Sequence, residues 1–145
     1  MGNPLTIKFK RLVAHAQTPE YATEHSAGLD LYCTDYNYDR ENKFHEYGIG
    51  IAVEIPEGYE GQIRPRSSIS KTSLMLCNPP GTIDSDYRGE LIVRFKAIDD
   101  REIIYGIGDR VAQLVIKPVP KVQLIEVDEL TNTKRSNGGF GSTGK

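Results

Sequence analysis

The sequence predicts an all-β domain, a jelly-roll-like sandwich or barrel with one short helix. Three observations predict it. About nine short runs alternate apolar and polar residues along the 145-residue chain. Turn residues (Gly, Pro, Asn, Asp) punctuate these runs at intervals of roughly 8–12 residues. Hydrophobic content is 38%. That is low, and it suits a two-layer β domain with exposed strand faces, or an oligomer that shares its core.

Leu5 to Leu12 opens the series, with Leu5, Ile7 and Phe9 on one side and Thr6, Lys8 and Lys10 on the other, so a half-buried strand is expected. Gln17-Thr18-Pro19-Glu20 breaks it. Ala27 to Cys33 is a second strand, with Leu29, Leu31 and Cys33 facing one way and Asp30 and Tyr32 the other. Tyr36 to His45 is polar and tyrosine-rich and reads as a loop or insertion. Ile49, Ile51, Val53 and Ile55 alternate before the turn at Pro56-Glu57-Gly58, and Tyr59 to Pro65 is the next strand. Ser67 to Ser73 is the candidate helix. Asn78-Pro79-Pro80-Gly81 is a turn. Gly81 to Gly89, bounded by glycines, reads as a polar hairpin or tight loop between two strands. Leu91–Ala97, Glu102–Tyr105, Arg110–Ile116 and Val122–Val127 are the remaining strands. Pro118 and Pro120 make a rigid connector. The last strand is then either an arm that packs on a neighbouring subunit or an ordinary edge strand. Residues 1–130 form one β domain in this reading, and 131–145 a flexible Gly-rich tail.

The composition excludes several function classes. A formal net charge of −2 creates no global field for nucleic acid or an anionic membrane, so neither partner is expected. No apolar run approaches the roughly 18 residues of a bilayer span. The N-terminus lacks a signal-peptide pattern, and a cytoplasmic, non-secreted protein is expected. Met1-Gly2 with Thr6 fits a myristoylation pattern, which Pro4 and the lack of a nearby basic patch oppose. Cys33 and Cys77 read as two reduced core thiols. His15, His25 and His45 have no triad or metal-ligand spacing and read as surface residues.

Four segments carry candidate chemistry. Gly81-Thr82-Ile83-Asp84-Ser85-Asp86-Tyr87-Arg88-Gly89 packs carboxylates, a phenol and a guanidinium into one short stretch. It is read as the floor of a small-molecule site. In an extended segment Asp84 and Asp86 would share a face, roughly 6–7 Å apart. Either is a candidate general base, or a turn residue bonding to backbone. Arg64-Pro65-Arg66-Ser67-Ser68 offers guanidinium and hydroxyl groups to an anion at the start of the short helix; alternatively Ser67 or Ser68 caps it. Asp30 sits inside an apolar strand and is either solvated or holds an arginine such as Arg110. Gly139 to Lys145 matches G-x-x-x-x-G-K. A phosphate-binding NTPase loop needs a hydroxyl and a helix after the lysine, and Lys145 is followed by neither, so that function is not expected. The tail can still wrap phosphate with Gly and hydroxyl groups, helped by Arg135 and Phe140; the plain alternative is a disordered tail.

In order, Ala27–Leu31, Arg64–Ser68, Asn78 with Gly81–Gly89, Gly108–Leu114, and Arg135 with Gly138–Gly144 resemble the five motifs of the trimeric dUTP pyrophosphatase (dUTPase) family. The resemblance implies the β-clip fold, a jelly-roll-like homotrimer with an exchanged C-terminal arm and three active sites, each built from three chains. It implies Mg²⁺-dependent hydrolysis of dUTP to dUMP and pyrophosphate, which keeps uracil out of DNA and supplies dUMP for thymidylate synthesis. Asp84 is implied as the base that activates water at the α-phosphorus. Arg66 and Arg135 neutralise charge with Mg²⁺. Ser67, Ser68 and Gln113 contact phosphate or water. Asn78 and the backbone at Gly81, Thr82, Ile83 and Ile92 read the uracil edge. Tyr87 packs under the deoxyribose, and Phe140 stacks on the base. Gly141, Ser142 and Thr143 close the tail over phosphate. Asp30 supports the Mg²⁺ hydration shell or a nearby arginine.

The chain departs from the family pattern in a few places. Ser68 stands where many members have Gly, Pro79-Pro80 precedes Gly81, Ser136-Asn137 follows Arg135, and Tyr36–His45 is longer or more irregular. The rival family, dCTP deaminase, shares the fold and an Arg-Ser-Ser stretch. It needs a Glu ten residues beyond the motif Asp, where Arg94 stands, and usually has Trp at Tyr87. A dUTPase-like regulatory or protein-binding module is the non-catalytic alternative.

Overall fold

A computed structural model of the chain describes residues 4–144. Met1 and Gly2 of the myristoylation-like start, and Lys145 of the G-x-x-x-x-G-K match, lie outside the described residues. Among the described residues, ten strands form two antiparallel sheets of five. One sheet runs β1 (Lys8–Arg11), β5 (Phe44–Glu54), β9 (Glu90–Ala97), β7 (Leu74–Leu76), with β4 (Asp35–Asp39) also paired to β5. The other runs β2 (Glu20–Tyr21), β3 (Leu29–Tyr32), β10 (Arg110–Pro118), β6 (Tyr59–Arg64), β8 (Gly81–Ile83). The sheets form an open jelly-roll-like sandwich with no closed barrel. No helix among the described residues is long and apolar enough to cross a membrane.

Period-two patterning places the core as expected. On β9, Leu91, Val93 and Phe95 are buried while Ile92 and Arg94 stand exposed on the opposite face. Leu31, Cys33, Ile49, Ile51, Ile63, Val111 and Leu114 fill the space between the sheets. Each large aliphatic side chain so buried contributes about 1.5–3 kcal/mol. Tyr47 meets Phe95 edge-on at 5.7 Å and donates its hydroxyl to the Tyr105 carbonyl at 2.8 Å. Burial pushes the Cys33 thiol up to about 11. At Gly50 (φ +73), β5 bulges against β9, a left-handed conformation that favours glycine.

Several expectations are corrected. Tyr36–His45 is not a loop; it is most of the β4–β5 hairpin, with Tyr36 opposite Tyr47 and Tyr38 opposite His45. Its polar residues had masked an alternating aromatic face. His45 is half-buried between Tyr36 and Tyr38 rather than a plain surface residue. Of the two readings of Gly81–Gly89, the tight loop between two strands holds and the hairpin does not: β8 pairs with β6 and β9 with β5 and β7, so the segment crosses from one sheet to the other. Glu102–Tyr105 is no strand, because Ile103 gives its carbonyl to the Ser73 N–H but takes the Ser73 side chain in return. Val122–Val127 has no strand partner among the described residues, and its apolar side chains are exposed. Phe9 and the rest of β1 are exposed, since nothing in the protomer covers them. Cys77 is exposed just past the end of β7, so only Cys33 is a core thiol.

Candidate active site

The residues expected at the site fall into three groups. The first lines a cleft of about 270 Å³: Asn78, Thr82, Ile83, Asp84, Tyr87 and Ile92, joined by Glu90 and Arg94. Strand β8 delivers Thr82 and Ile83, and the outward face of β9 delivers Ile92 and Arg94. Gly81 is buried beneath them, where an added Cβ would lie 3.3 Å from that of Ile63. Asp84 is exposed and begins a turn in which its carbonyl accepts the Tyr87 N–H at 3.1 Å. The turn removes the extended geometry from which a shared face for Asp84 and Asp86 was expected. Arg88 closes the turn on the Ser85 carbonyl. Tyr87 donates its hydroxyl to the Glu90 carbonyl at 2.7 Å, and the Glu90 carboxylate accepts the Gly50 N–H at 3.1 Å. Arg94 is held by Glu46 at 2.8 Å and lies over the Phe44 ring at 4.7 Å.

The second group gathers on the other sheet. Asp30 is 6% exposed, with Arg66 Nε at 3.1 Å from one carboxylate oxygen and Arg110 Nη1 at 3.5 Å from the other. Of the two readings left open for Asp30, the geometry places it with arginine. Strand register explains the meeting, since β3 and β10 pair Asp30 with Gln113, which also pairs with Arg64 of β6. Gln113 donates to the Pro65 carbonyl at 3.2 Å. Its side chain lies against Gly28, where a Cβ would fall 2.6 Å from the amide oxygen, so only glycine fits there without displacing it. The expected short helix is a five-residue 3₁₀ turn, Ser67–Lys71, with Arg66 at the capping position and no side-chain cap. Neither Ser67 nor Ser68 caps it. Ser67 is exposed, and the Ser68 hydroxyl meets Arg66 and Tyr105.

The third group is the tail. Arg135 bonds the Gly138 carbonyl at 2.8 Å, Phe140 is fully exposed, and Gly141, Ser142 and Thr143 sit in exposed turns. The protomer does not bring the groups together. None of Asp30, Arg66, Ser67, Ser68, Gln113, Arg135 or Phe140 lines the Asp84 cleft.

Sequence reasoning missed Glu90 and Arg94 as cleft residues. Arg94 had a signal, its period-two relation to Ile92; the link from Glu90 to Gly50 had none.

A β-sandwich with an acidic cleft at a sheet crossing, and a buried carboxylate holding two arginines on its other sheet, defines a class: an all-β enzyme for a small phosphorylated ligand. Residues 14–144 match the dUTPase family. A deoxyuridine 5'-triphosphate nucleotidohydrolase of Hydrogenobaculum sp. is 50% identical over 137 residues, 93% of this chain and 95% of the relative. Another from Syntrophotalea carbinolica is 47% identical, covering 97% of each chain. The dUTPase of Staphylococcus bacteriophage 80alpha, solved with dUpNHpp, superimposes with a TM-score of 0.82 at 29% identity over 97% of this chain and 99% of its own. A mutant dUTPase of phage phi11 of S. aureus, described as revealing the coordination of a structural Mg(II) ion, has a TM-score of 0.71 at 27% identity, covering 86% and 98%. The chain belongs to the dUTPase family.

Proposed function

We infer that this dUTP diphosphatase, which hydrolyses dUTP to dUMP, seats the nucleoside in the cleft of Asn78, Thr82, Ile83, Tyr87 and Ile92. The triphosphate then meets Arg66, Ser67 and Gln113 of a neighbouring copy. The observation that carries this reading is the separation of the groups: Asp84 shares its cleft with Asn78 and Tyr87, and the arginine cluster lies elsewhere on the protomer.

Asp84 takes a proton from water as the water oxygen attacks the α-phosphorus. The bond from that phosphorus to the α,β-bridging oxygen breaks, and pyrophosphate leaves with the electron pair. A positioned base of this kind contributes about 10²–10⁴-fold. Arg66, and Arg135 from a tail, meet the charge that develops on the phosphoryl oxygens. Asn78 and the backbone at Gly81, Thr82, Ile83 and Ile92 bond the uracil edge. Tyr87, fixed by its bond to the Glu90 carbonyl, packs on the deoxyribose and leaves no room for a 2′-hydroxyl. Phe140 stacks on the base, and Gly141, Ser142 and Thr143 wrap the phosphates. Ser68 acts on Arg66 rather than on substrate.

Among the described residues no three His, Cys, Asp or Glu side chains converge as a metal site. An all-protein cage for Mg²⁺ does not fit, and both oxygens of Asp30 already face arginines. A Mg²⁺ that keeps its waters and rides on the substrate's phosphates does fit. The phosphates would hold it, with Arg66, Gln113 and Arg135 placing them, and it would neutralise phosphate charge.

This reading requires more than one copy, and the assembly proposed is a homotrimer. Val122, Leu124, Ile125, Val127 and Leu130 form an exposed apolar arm, and Phe9 on β1 is an exposed apolar surface. Arm and edge from different copies cover one another's apolar surface.

A nucleotide panel tests the reaction. Pyrophosphate release from dUTP is expected, with UTP, dTTP and dCTP nearly untouched; ammonia from dCTP would mark a deaminase instead. Asp84→Asn should bind dUTP and lose turnover by about 10²–10⁴-fold, the range for a general base. Full turnover by that variant would sink the base assignment.

A further inference from the structure

A line of contacts runs from the hydrophobic core to the phosphate-side arginine. Tyr105 is 8% exposed, although it ends an irregular stretch. Its backbone carbonyl is fixed by the Tyr47 hydroxyl at 2.8 Å. Its ring packs edge-on against Tyr47 and tilted against Phe95, with centroids 6.2 and 5.9 Å away. A buried tyrosine needs a partner for its hydroxyl. Here the partner is Ser68 Oγ at 3.0 Å. The same Ser68 oxygen accepts a hydrogen bond from Arg66 Nη1 at 3.2 Å. Hydroxyls of Ser and Tyr each donate once and accept, so the three-member line is satisfied with Arg66 donating inward.

The rest of the guanidinium is tied too. Nε donates to Asp30 at 3.1 Å, and Nη1 also reaches the Arg110 carbonyl at 3.4 Å. Among the described residues Nη2 has no partner, and it is the nitrogen left for an anion. The Asp30 bond alone holds the guanidinium at one atom and permits it to swing. The Ser68 contact supplies a second point, and Tyr105 gives that point a rigid footing in the core.

We propose that Tyr105 is a positioning residue for dUTP hydrolysis: acting through Ser68, it orients Arg66 so that Nη2 faces the triphosphate. The proposal rests on the reading of Arg66 as a phosphate contact. Because that contact strengthens as charge develops, misorientation should appear in kcat more than in KM.

The test is steady-state dUTP hydrolysis and thermal melting for Tyr105→Phe, Ser68→Ala, Ser68→Thr, Arg66→Gln and the double variants. Tyr105→Phe keeps the ring and the backbone carbonyl, so its Tm should fall by no more than the few degrees that one neutral hydrogen bond represents. Losing one neutral hydrogen bond in the line should lower kcat by about 3–10-fold with KM within about twofold. Ser68→Ala should do the same, and the pair together should do no worse than the weaker single. Ser68→Thr keeps the hydroxyl and should retain most of kcat. Tyr105→Phe should add nothing in the Arg66→Gln background. Parental kcat in Tyr105→Phe, or additive losses in the double with Ser68→Ala, overturns the proposal. The two readings fail differently. A crippled Arg66→Gln beside an unimpaired Tyr105→Phe rejects the positioning role alone. An unimpaired Arg66→Gln rejects the phosphate contact and the positioning role with it.

Discussion

Arg66 and Arg135 are both assigned to the triphosphate, yet they are held in opposite ways. Arg66 is fastened to a buried carboxylate, to Ser68 and to the Arg110 carbonyl, with a packed tyrosine behind it. Among the described residues Arg135 bonds only the carbonyl of Gly138, three residues along its own exposed tail. The first arginine gives up its conformational freedom when the chain folds; under the proposed function, the second gives it up each time substrate binds. A site with one fixed and one substrate-ordered half can hold phosphate charge in place and still open to release product.

Removing the exposed tail should give the largest effect. Truncation after Leu130 deletes Arg135 and Phe140, and losing a transition-state charge contact costs about 10²–10³-fold in kcat. The tail's hydrogen bonds run within the tail, so the melting temperature should barely change. A large drop in Tm would show that the two halves are not energetically separate, and would break the comparison.

The arm between the halves comes next. Leu124 is 92% exposed in the protomer, so a charge there costs little unless another copy covers it. Leu124→Asp should shift light scattering from trimer to monomer. It should lower activity at nanomolar enzyme by more than the roughly tenfold that 1.4 kcal/mol represents. An intact trimer with full activity would remove the arm from the assembly. Smaller still is Asp30→Asn, which leaves two guanidinium groups without their shared charge. Breaking a buried pair costs about 3–5 kcal/mol, but Arg110 is half exposed to solvent, so about 1–3 kcal/mol is expected by chemical denaturation. Arg135→Gln should leave stability unchanged in the same assay. The Arg66 site would then contribute to stability, and the Arg135 site would not.

What was legible in the sequence follows the same division. Residues proposed to meet substrate sit in short contiguous segments whose composition is unusual for turns, so Asp84, Tyr87, Arg66 and the Gly-rich tail stood out. Strands with clean alternation, such as β9, were legible from period alone. The support behind the site was not. Tyr105 and Ser68 are 37 residues apart and meet only across the fold. The passage of Gly81–Gly89 between sheets depends on which strands pair, and glycines at both ends look the same in a hairpin. Val122–Val127 has strand-like alternation but no partner in its own chain.

The β4–β5 hairpin extends the comparison, because its sequence looks like the tail yet its structure behaves like the fixed half. Asp39, Arg40, Glu41 and Asn42 are as polar as residues 131–137, but three rings tie the hairpin down. Tyr36 donates to or accepts from His45 Nδ1 at 2.8 Å, and His45 stacks on Tyr36 at 5.9 Å and packs tilted against Tyr38 at 4.9 Å. Asp99, Asp100 and Glu102 line the same cleft, and the Asp99 charge is taken by Arg101 at 2.7 Å. Burial lowers the His45 pKa below its ordinary 6.5. The folded chain then binds fewer protons at this residue than the unfolded chain, so stability rises with pH across the window. The contribution is complete above the unfolded value and is lost as pH falls through the lowered folded value. His45→Phe keeps an aromatic in the stack and removes the titration. Melting curves at pH 8 and pH 5 should show the parent losing more stability on acidification than this variant, with carboxylate effects common to both cancelling in the difference. Equal losses would mean that His45 binds protons alike in the folded and unfolded chain, and that its place between the two rings does not shield it from water.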